Sequence, residues 1–285
     1  MAEVVLNDVT LRDGLQSFKK FIPTEKKIEL ANKIIDSGIK YLEITSFVSP
    51  KAIPQFKDSV ALSRDRNLKD AFFSALVPNL KGFRNLLNGR INEAVLFVSA
   101  CEMHNIKNLG KKIDETLSDF KEIFSVDSNV KIKGAISMVF GSPFTGELPR
   151  QKDLYKIIEF FLKENVSEIT LCDTWGRAEQ DVFSEQLIKI LDDFDAFFSI
   201  HLHNVSGKAI SNLGIAIDEG IRKVDTVFGV TGGCPFSIEA GINLNIREAL
   251  KVIKGKNCKT AIDEEKIDEI ENYLIKIIGG EQHEL

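Results

Sequence analysis

Along the chain, short runs rich in β-branched and other apolar residues alternate with longer stretches in which apolar residues return every third or fourth position. The runs predict eight strands: Val4–Val9, Tyr41–Ile44, Ala71–Leu76, Ala94–Val98, Lys131–Met138, Glu168–Leu171, Phe197–His203 and Lys223–Val227. Between the first two, Glu25–Ser37 sets Ile28, Leu30, Ala31, Ile34 and Ile35 near the i, i+3, i+4, i+7 spacing of a one-sided helix, and Pro23-Thr24 supplies a start signal. Lys111–Phe124, Leu154–Lys163, Phe183–Leu191 and Ala209–Glu219 carry the same pattern, and Asp263–Ile278 predicts one more helix packed on the outside.

Eight β-then-α units without a break in composition predict an α/β fold over residues 1–285 as a single domain. The expected architecture is a (β/α)8 TIM barrel with an additional C-terminal helix, because each parallel crossover must be covered by its helix. An open doubly wound sheet is the competing reading, and no GxGxxG follows the first strand to support it. No linker, low-complexity tract or short repeat interrupts the alternation.

Composition narrows the function classes. Apolar residues make up 44% of the chain and charged residues 28%, enough for a substantial core and against disorder. The net charge of −5 and pI near 5.6, with Lys and Arg scattered through helical stretches, predict neither a nucleic-acid footprint nor attraction to anionic membranes. The start lacks a basic and apolar leader pattern and no run of about 18 apolar residues occurs, so a soluble cytoplasmic protein is expected. Four cysteines (Cys101, Cys172, Cys234, Cys258) form no CxxC pair and are expected as free thiols.

In a barrel of this kind, chemistry gathers at the C-terminal ends of strands and the loops beyond them. Asp13 follows strand 1, Glu43 sits near the end of strand 2, His201 and His203 end strand 7, and Asn243 falls in the long loop after strand 8; strands 7, 8, 1 and 2 are neighbours once the sheet closes. The i, i+2 spacing of His201 and His203 points both imidazoles to one face. Read alone, they are either polar residues at a strand end or metal ligands. With Asp13 and Asn243, two imidazole nitrogens and two oxygens leave two positions on an octahedral Mg²⁺ or Mn²⁺ for a chelating substrate. Zinc is disfavoured because no thiolate set closes a tetrahedron.

Other candidates carry two readings each. Arg12-Asp13 is a solvated ion pair, or Arg12 holds a developing enolate oxygen beside the metal, with Gly14 allowing close backbone approach. Glu43, a charge in an apolar run, needs a partner: a core arginine or the chemistry itself. Asp173 caps the segment after strand 6 or reaches the site. Cys234, in Gly232-Gly233-Cys234-Pro235, is a buried thiol or a proton donor or acceptor on a mobile lid.

Leu-Arg-Asp-Gly-Leu-Gln (11–16), Glu-Ile-Thr-Ser-Phe-Val-Ser-Pro-Lys (43–51), Val-Pro-Asn-Leu-Lys-Gly-Phe (77–83), Phe-Gly-Ser-Pro-Phe-Thr-Gly (140–146), His-Leu-His (201–203) and Gly-Gly-Cys-Pro-Phe (232–236) together span most of the chain. In these stretches the sequence resembles the 3-hydroxy-3-methylglutaryl-CoA lyase family. The resemblance implies Asp13, His201, His203 and Asn243 as ligands of a divalent cation (Mg²⁺ or Mn²⁺), with Asn243 nine residues after Cys234 as in that family. It implies Arg12, Glu43 and Cys234 as catalytic residues and Gln16, Ser46 and Asp173 as lining the substrate pocket. The implied partner is an acyl-CoA substrate, cleaved between C2 and C3 to acetyl-CoA and, for the namesake substrate, acetoacetate. Arg12 would stabilise the departing thioester enolate and Cys234 would protonate it. A homodimer is one assembly this allows.

Departures from the family pattern bear on the acyl group. His-Leu-His-Asn-Val-Ser-Gly (201–207) stands for His-x-His-Asp-Thr-Tyr-Gly, Gly-Ile-Asn (241–243) for Ser-Gly-Asn, and Asp-Thr-Trp-Gly (173–176) for Asp-Thr-Ile-Gly; Ser-Phe-Lys-Lys-Phe follows Gln16 in place of Asn-Glu-Lys. The alternatives are a related lyase on another 3-hydroxyacyl-CoA, an acetyl-CoA-dependent condensing enzyme, and a non-catalytic metal or CoA-binding protein. The Gly-Gly-Cys-Pro lid and short tail favour cleavage over condensation.

Overall fold

Burial on both faces is what turns the predicted apolar runs into a parallel sheet. In the computed structural model, which describes residues 1–18, 20–229 and 241–279, eight of them form strands: β1 (Val5–Asp8), β2 (Tyr41–Ser46), β3 (Phe72–Val77), β4 (Glu93–Ser99), β5 (Lys131–Ser137), β6 (Glu168–Asp173), β7 (Phe198–Asn204) and β8 (Lys223–Thr226). Each pairs in parallel with the next, and β8 pairs with β1 through Val5↔Lys223, Leu6↔Val224, Asn7↔Asp225 and Asp8↔Thr226, which closes the barrel. The predicted TIM barrel is therefore the observed fold. Strand boundaries shift by a residue or two, as in β7, which runs one position later than expected.

Around the barrel lie α1 (Thr24–Asp36), α2 (Ser59–Arg64), α3 (Leu80–Leu86), α4 (Glu102–Leu109), α5 (Ile113–Phe124), α6 (Gln151–Lys163), α7 (Gln180–Asp193), α8 (Lys208–Asp218) and α9 (Ile246–Gly255), followed by α10 (Ile267–Ile278). Four of these, α2, α3, α4 and α9, go beyond the predicted set. The first two span six and seven residues, too short to show a period. In α4 the buried positions are His104 and Asn105, so no apolar stripe marks it. The pattern of α9 is readable: Ile246, Ala249, Leu250 and Ile253 are buried at i, i+3, i+4 and i+7, and Asn245 caps the helix by accepting from the Arg247 backbone N–H at 2.8 Å. The C-terminal helix is found where expected, entered through a short 3₁₀ turn at Glu264–Lys266. No helix among the described residues is long and apolar enough to cross a membrane.

The apolar core lies between strands and helices. Gly134 shows how tightly: a Cβ there would come 2.7 Å from the Phe161 ring, so α6 sits directly on the β5 backbone. Inside the barrel the chemistry is different. The expected apolar strands carry inward charges on their N-terminal halves. Glu168 of β6 meets Lys133 of β5 at 2.8 Å and Lys223 of β8 at 2.6 Å, and it accepts from Ser199 of β7 at 2.6 Å. Burial alone would lower the Lys133 ammonium's pKa, but Asp225, Glu168 and Glu93 raise it instead. These groups are mutually satisfied, which buried charges require.

Candidate active site

The loop leaving β1 is built around its last residue. Asp8 accepts hydrogen bonds from the Thr10 backbone N–H (3.1 Å) and hydroxyl (2.7 Å), while the Thr10 hydroxyl accepts from the Phe228 N–H (2.9 Å). Burial pushes the Asp8 carboxyl up to about 7. Thr10–Gly14 then form a π-helical turn, in which Gly14 N–H donates to the Val9 carbonyl and Leu15 N–H to the Thr10 carbonyl, each across five residues. Such turns are frequent at functional sites. This one carries Arg12 and Asp13.

Arg12 is not a solvated ion pair with its neighbour. Its Nε donates to Glu43 Oε1 at 2.6 Å, its Nη2 to Glu43 Oε2 at 3.3 Å, and its Nη1 lies 3.2 Å from Asp13 Oδ1. Glu43, 2% exposed, thus has the core arginine partner that the apolar run demanded. Burial raises the Glu43 pKa and Arg12 offsets part of the rise.

Across the barrel mouth, the two imidazoles of β7 converge on Asp13 as the i, i+2 spacing predicts. His201 Nε2 is 3.4 Å and His203 Nε2 3.8 Å from Asp13 Oδ2, and the two Nε2 atoms are 3.1 Å apart. Burial would raise the Asp13 carboxyl, but Arg12 and the two histidines hold it well below the usual range. Burial lowers His203. Burial also opposes charge on His201, but Asp13 and Asp225 outweigh it and lift His201 to about 9.

Asn243 is not in a loop. It belongs to a two-residue strand, β9 (Ile242–Asn243), antiparallel to β7 and directly paired with His203. Direct partners in an antiparallel pair share a face, so Asn243 is brought to the ligand side of the sheet. It is buried, and neither atom of its carboxamide has a hydrogen-bond partner among the described residues, a costly state for a buried amide. An unpartnered amide oxygen beside two imidazoles and a carboxylate whose ligand atoms lie within 4.8 Å of one another is the donor set of a hard divalent cation. These residues therefore fit the metal implied by the sequence.

The remaining predicted residues divide. Gln16 donates through Nε2 to Asp13 Oδ1 and lines the cavity; Ser46 lines it too, its hydroxyl accepting from the Val48 N–H at 3.3 Å. The Asp173 oxygens accept from the Gly176 (2.9 Å) and Ala178 (3.4 Å) N–H groups, as the capping alternative requires, and burial pushes its carboxyl up to about 6. Gly176, with φ +71°, must be glycine, because a Cβ would meet the His203 carbonyl oxygen at 2.7 Å. Cys234 lies outside the described residues.

The cavity measures about 390 Å³. Its lining combines Asp13, His201, His203 and the Arg12–Glu43 pair with Leu76, Val95, Phe97, Ala135 and Cys172, mostly apolar and partly small. Burial holds Cys172 as a neutral thiol. Four charged lining residues escaped the sequence reading, Lys111, Asp119, Lys133 and Asp225. For Asp225 the signal was available: Lys-Val-Asp-Thr-Val sets a carboxylate in a predicted strand, the same anomaly that singled out Glu43.

Comparison with known proteins agrees with this geometry. Hydroxymethylglutaryl-CoA lyase YngG of Bacillus subtilis (strain 168) is 34% identical over 97% of this chain and 94% of its own length. The cytoplasmic 3-hydroxy-3-methylglutaryl-CoA lyase of Danio rerio is 30% identical over 97% of this chain and 83% of its own. Among solved structures, an HMG-CoA lyase from Acenitobacter baumannii in complex with coenzyme A and 3-methylmalate superposes with a TM-score of 0.91 at 30% identity, covering 97% of this chain and 92% of that one. The HMGL-like family model matches residues 3–274, and the chain belongs to that family.

Proposed function

We propose that the protein is a divalent-metal-dependent carbon–carbon lyase that cleaves a 3-hydroxyacyl-CoA, with 3-hydroxy-3-methylglutaryl-CoA as the favoured substrate and acetyl-CoA and acetoacetate as products. One observation carries the reading: the Asp13, His201 and His203 cluster stands beside an Arg12–Glu43 pair at one cavity mouth. Asp13, His201, His203 and Asn243 would hold a cation of the Mg²⁺ or Mn²⁺ kind, which would supply Lewis acidity to substrate oxygens. Arg12, permanently charged and oriented by two hydrogen bonds to Glu43, offers a fixed donor to the oxygen on which negative charge develops. A general base removes the tertiary hydroxyl proton, the C2–C3 electron pair passes into the thioester enolate at Arg12, and Cys234 returns a proton to C2. Gln16 steadies Asp13, and Ser46 contributes to the wall facing the acyl chain.

The test is acetyl-CoA release from 3-hydroxy-3-methylglutaryl-CoA, with EDTA-treated protein as the blank. Release that depends on added Mg²⁺ or Mn²⁺ supports the reading. Condensation of acetyl-CoA with a keto acid in the absence of any cleavage would reject it in favour of a synthase.

A further inference from the structure

We infer that Asp225 is a positioning residue, which selects the tautomer of His201 and so turns its Nε2 lone pair toward the cation. The inference deepens the proposed function and rests on its metal reading. An imidazole binds a cation through a nitrogen that carries no proton, so its single proton must sit on the other one. His201 Nε2 faces Asp13 and His203, whereas Nδ1 faces Asp225 Oδ2 at 3.1 Å. A carboxylate can only accept, so this contact keeps a proton on Nδ1, and the neutral ring that binds a cation then presents Nε2 unprotonated. Metal-bound histidines are oriented in this way, and loss of the outer partner weakens metal binding.

Three adjacent strands build the device. Asn7 of β1 and Asp225 of β8 are direct partners, and the Ile200↔Val224 pairing sets His201 of β7 beside Asp225. The two carboxylate oxygens have separate tasks. Oδ2 serves His201, while Oδ1 accepts from Asn7 Nδ2 at 2.8 Å and lies 3.9 Å from the Lys133 ammonium. Lys133 is in turn held by Glu168, which is tied to Lys223. The carboxylate thus keeps both its charge and its orientation, because its other partners come from β1 and β5 and do not compete for Oδ2. His203 supplies an internal contrast: its Nδ1 has no hydrogen-bond partner among the described residues, so nothing equivalent acts on it.

The experiment measures Mn²⁺ affinity of the full chain by electron paramagnetic resonance titration in wild type, Asp225→Asn and Asn7→Ala, with thermal unfolding of each metal-free protein alongside. Asp225→Asn removes the obligate acceptor, since its amide can also donate to Nδ1. It is expected to weaken Mn²⁺ binding about tenfold to a hundredfold. Asn7→Ala, which loosens the carboxylate without deleting it, should fall between. A folded Asp225→Asn variant that binds Mn²⁺ as tightly as wild type overturns the inference. As a check independent of folding, ¹⁵N-histidine spectra of the wild-type Mg²⁺ form should show the His201 proton on Nδ1; the chain has four histidines, and His201→Asn assigns the signal. A proton on Nε2 overturns the inference as well. Wild-type protein that binds no Mn²⁺ would instead sink the metal reading beneath it.

Discussion

Replacing Arg12 with methionine separates the structural work of this residue from its chemistry. The guanidinium makes two hydrogen bonds to Glu43, at 2.6 and 3.3 Å, and is the one cation among the described residues that contacts that carboxylate, in a side-chain pair 13% and 3% exposed. Arg12→Met therefore strands a buried charge, for which the loss is about 3–5 kcal/mol. Spread over the unfolding entropy of a chain of this length, that is a drop in Tm of about 5–10 °C. The double variant Arg12→Met/Glu43→Leu removes the stranded charge as well, and most of the loss should be recovered. Activity should not return with it. If Arg12 also supplies the oxyanion donor, kcat stays down by about a hundredfold to a thousandfold in both variants. The assay pairs differential scanning calorimetry with acetyl-CoA release. A double variant that regains both Tm and kcat would show that Arg12 merely neutralises Glu43, and a single variant that melts with wild type would refute the energetic argument.

Three further outcomes follow from the same contacts. His104 is fully buried on α4 and held neutral, its pKa lowered to about 4 by burial and by Lys107. Because the folded value lies below that of the unfolded chain, the associated stability is intact above pH 6.5 and is lost as pH falls toward 4, by about 3 kcal/mol across that window. Urea unfolding of wild type and His104→Phe between pH 7 and 4 should diverge in that direction, and parallel curves would contradict it. Gly134→Ala drives a methyl into the Phe161 ring 2.7 Å away, an overpacking of about 1–3 kcal/mol that Phe161→Leu should partly relieve in the double variant, as read by thermal unfolding. Asn243→Ala removes a buried amide with no hydrogen-bond partner among the described residues, so the metal-free protein should lose little or no stability; saturating Mn²⁺, which should raise the wild-type Tm, should raise that of the variant less. Equal Tm gains would remove Asn243 from the ligand set.

The alternation of apolar runs with helical periods was sufficient to predict a parallel sheet covered by helices, because a sheet buried on both faces leaves a local imprint on each strand, whereas closure into a barrel is shown by the pairing of β8 with β1. The same local logic found Asp13, His201 and His203, since strand ends and i, i+2 spacing are properties of neighbours in the chain. It also flagged Glu43 as a charge in need of a partner, but could not name Arg12, 31 residues away, as that partner. Nor could it choose between capping and substrate contact for Asp173, turn Asn243 from a loop residue into the strand partner of His203, or recognise the inward ladder of Lys223, Glu168, Lys133 and Asp225. Those facts depend on which strands meet when the sheet closes and how far apart their side chains then lie. Periodicity records whether a position is buried, whereas distance and donor–acceptor pairing between remote segments exist only after the chain has folded.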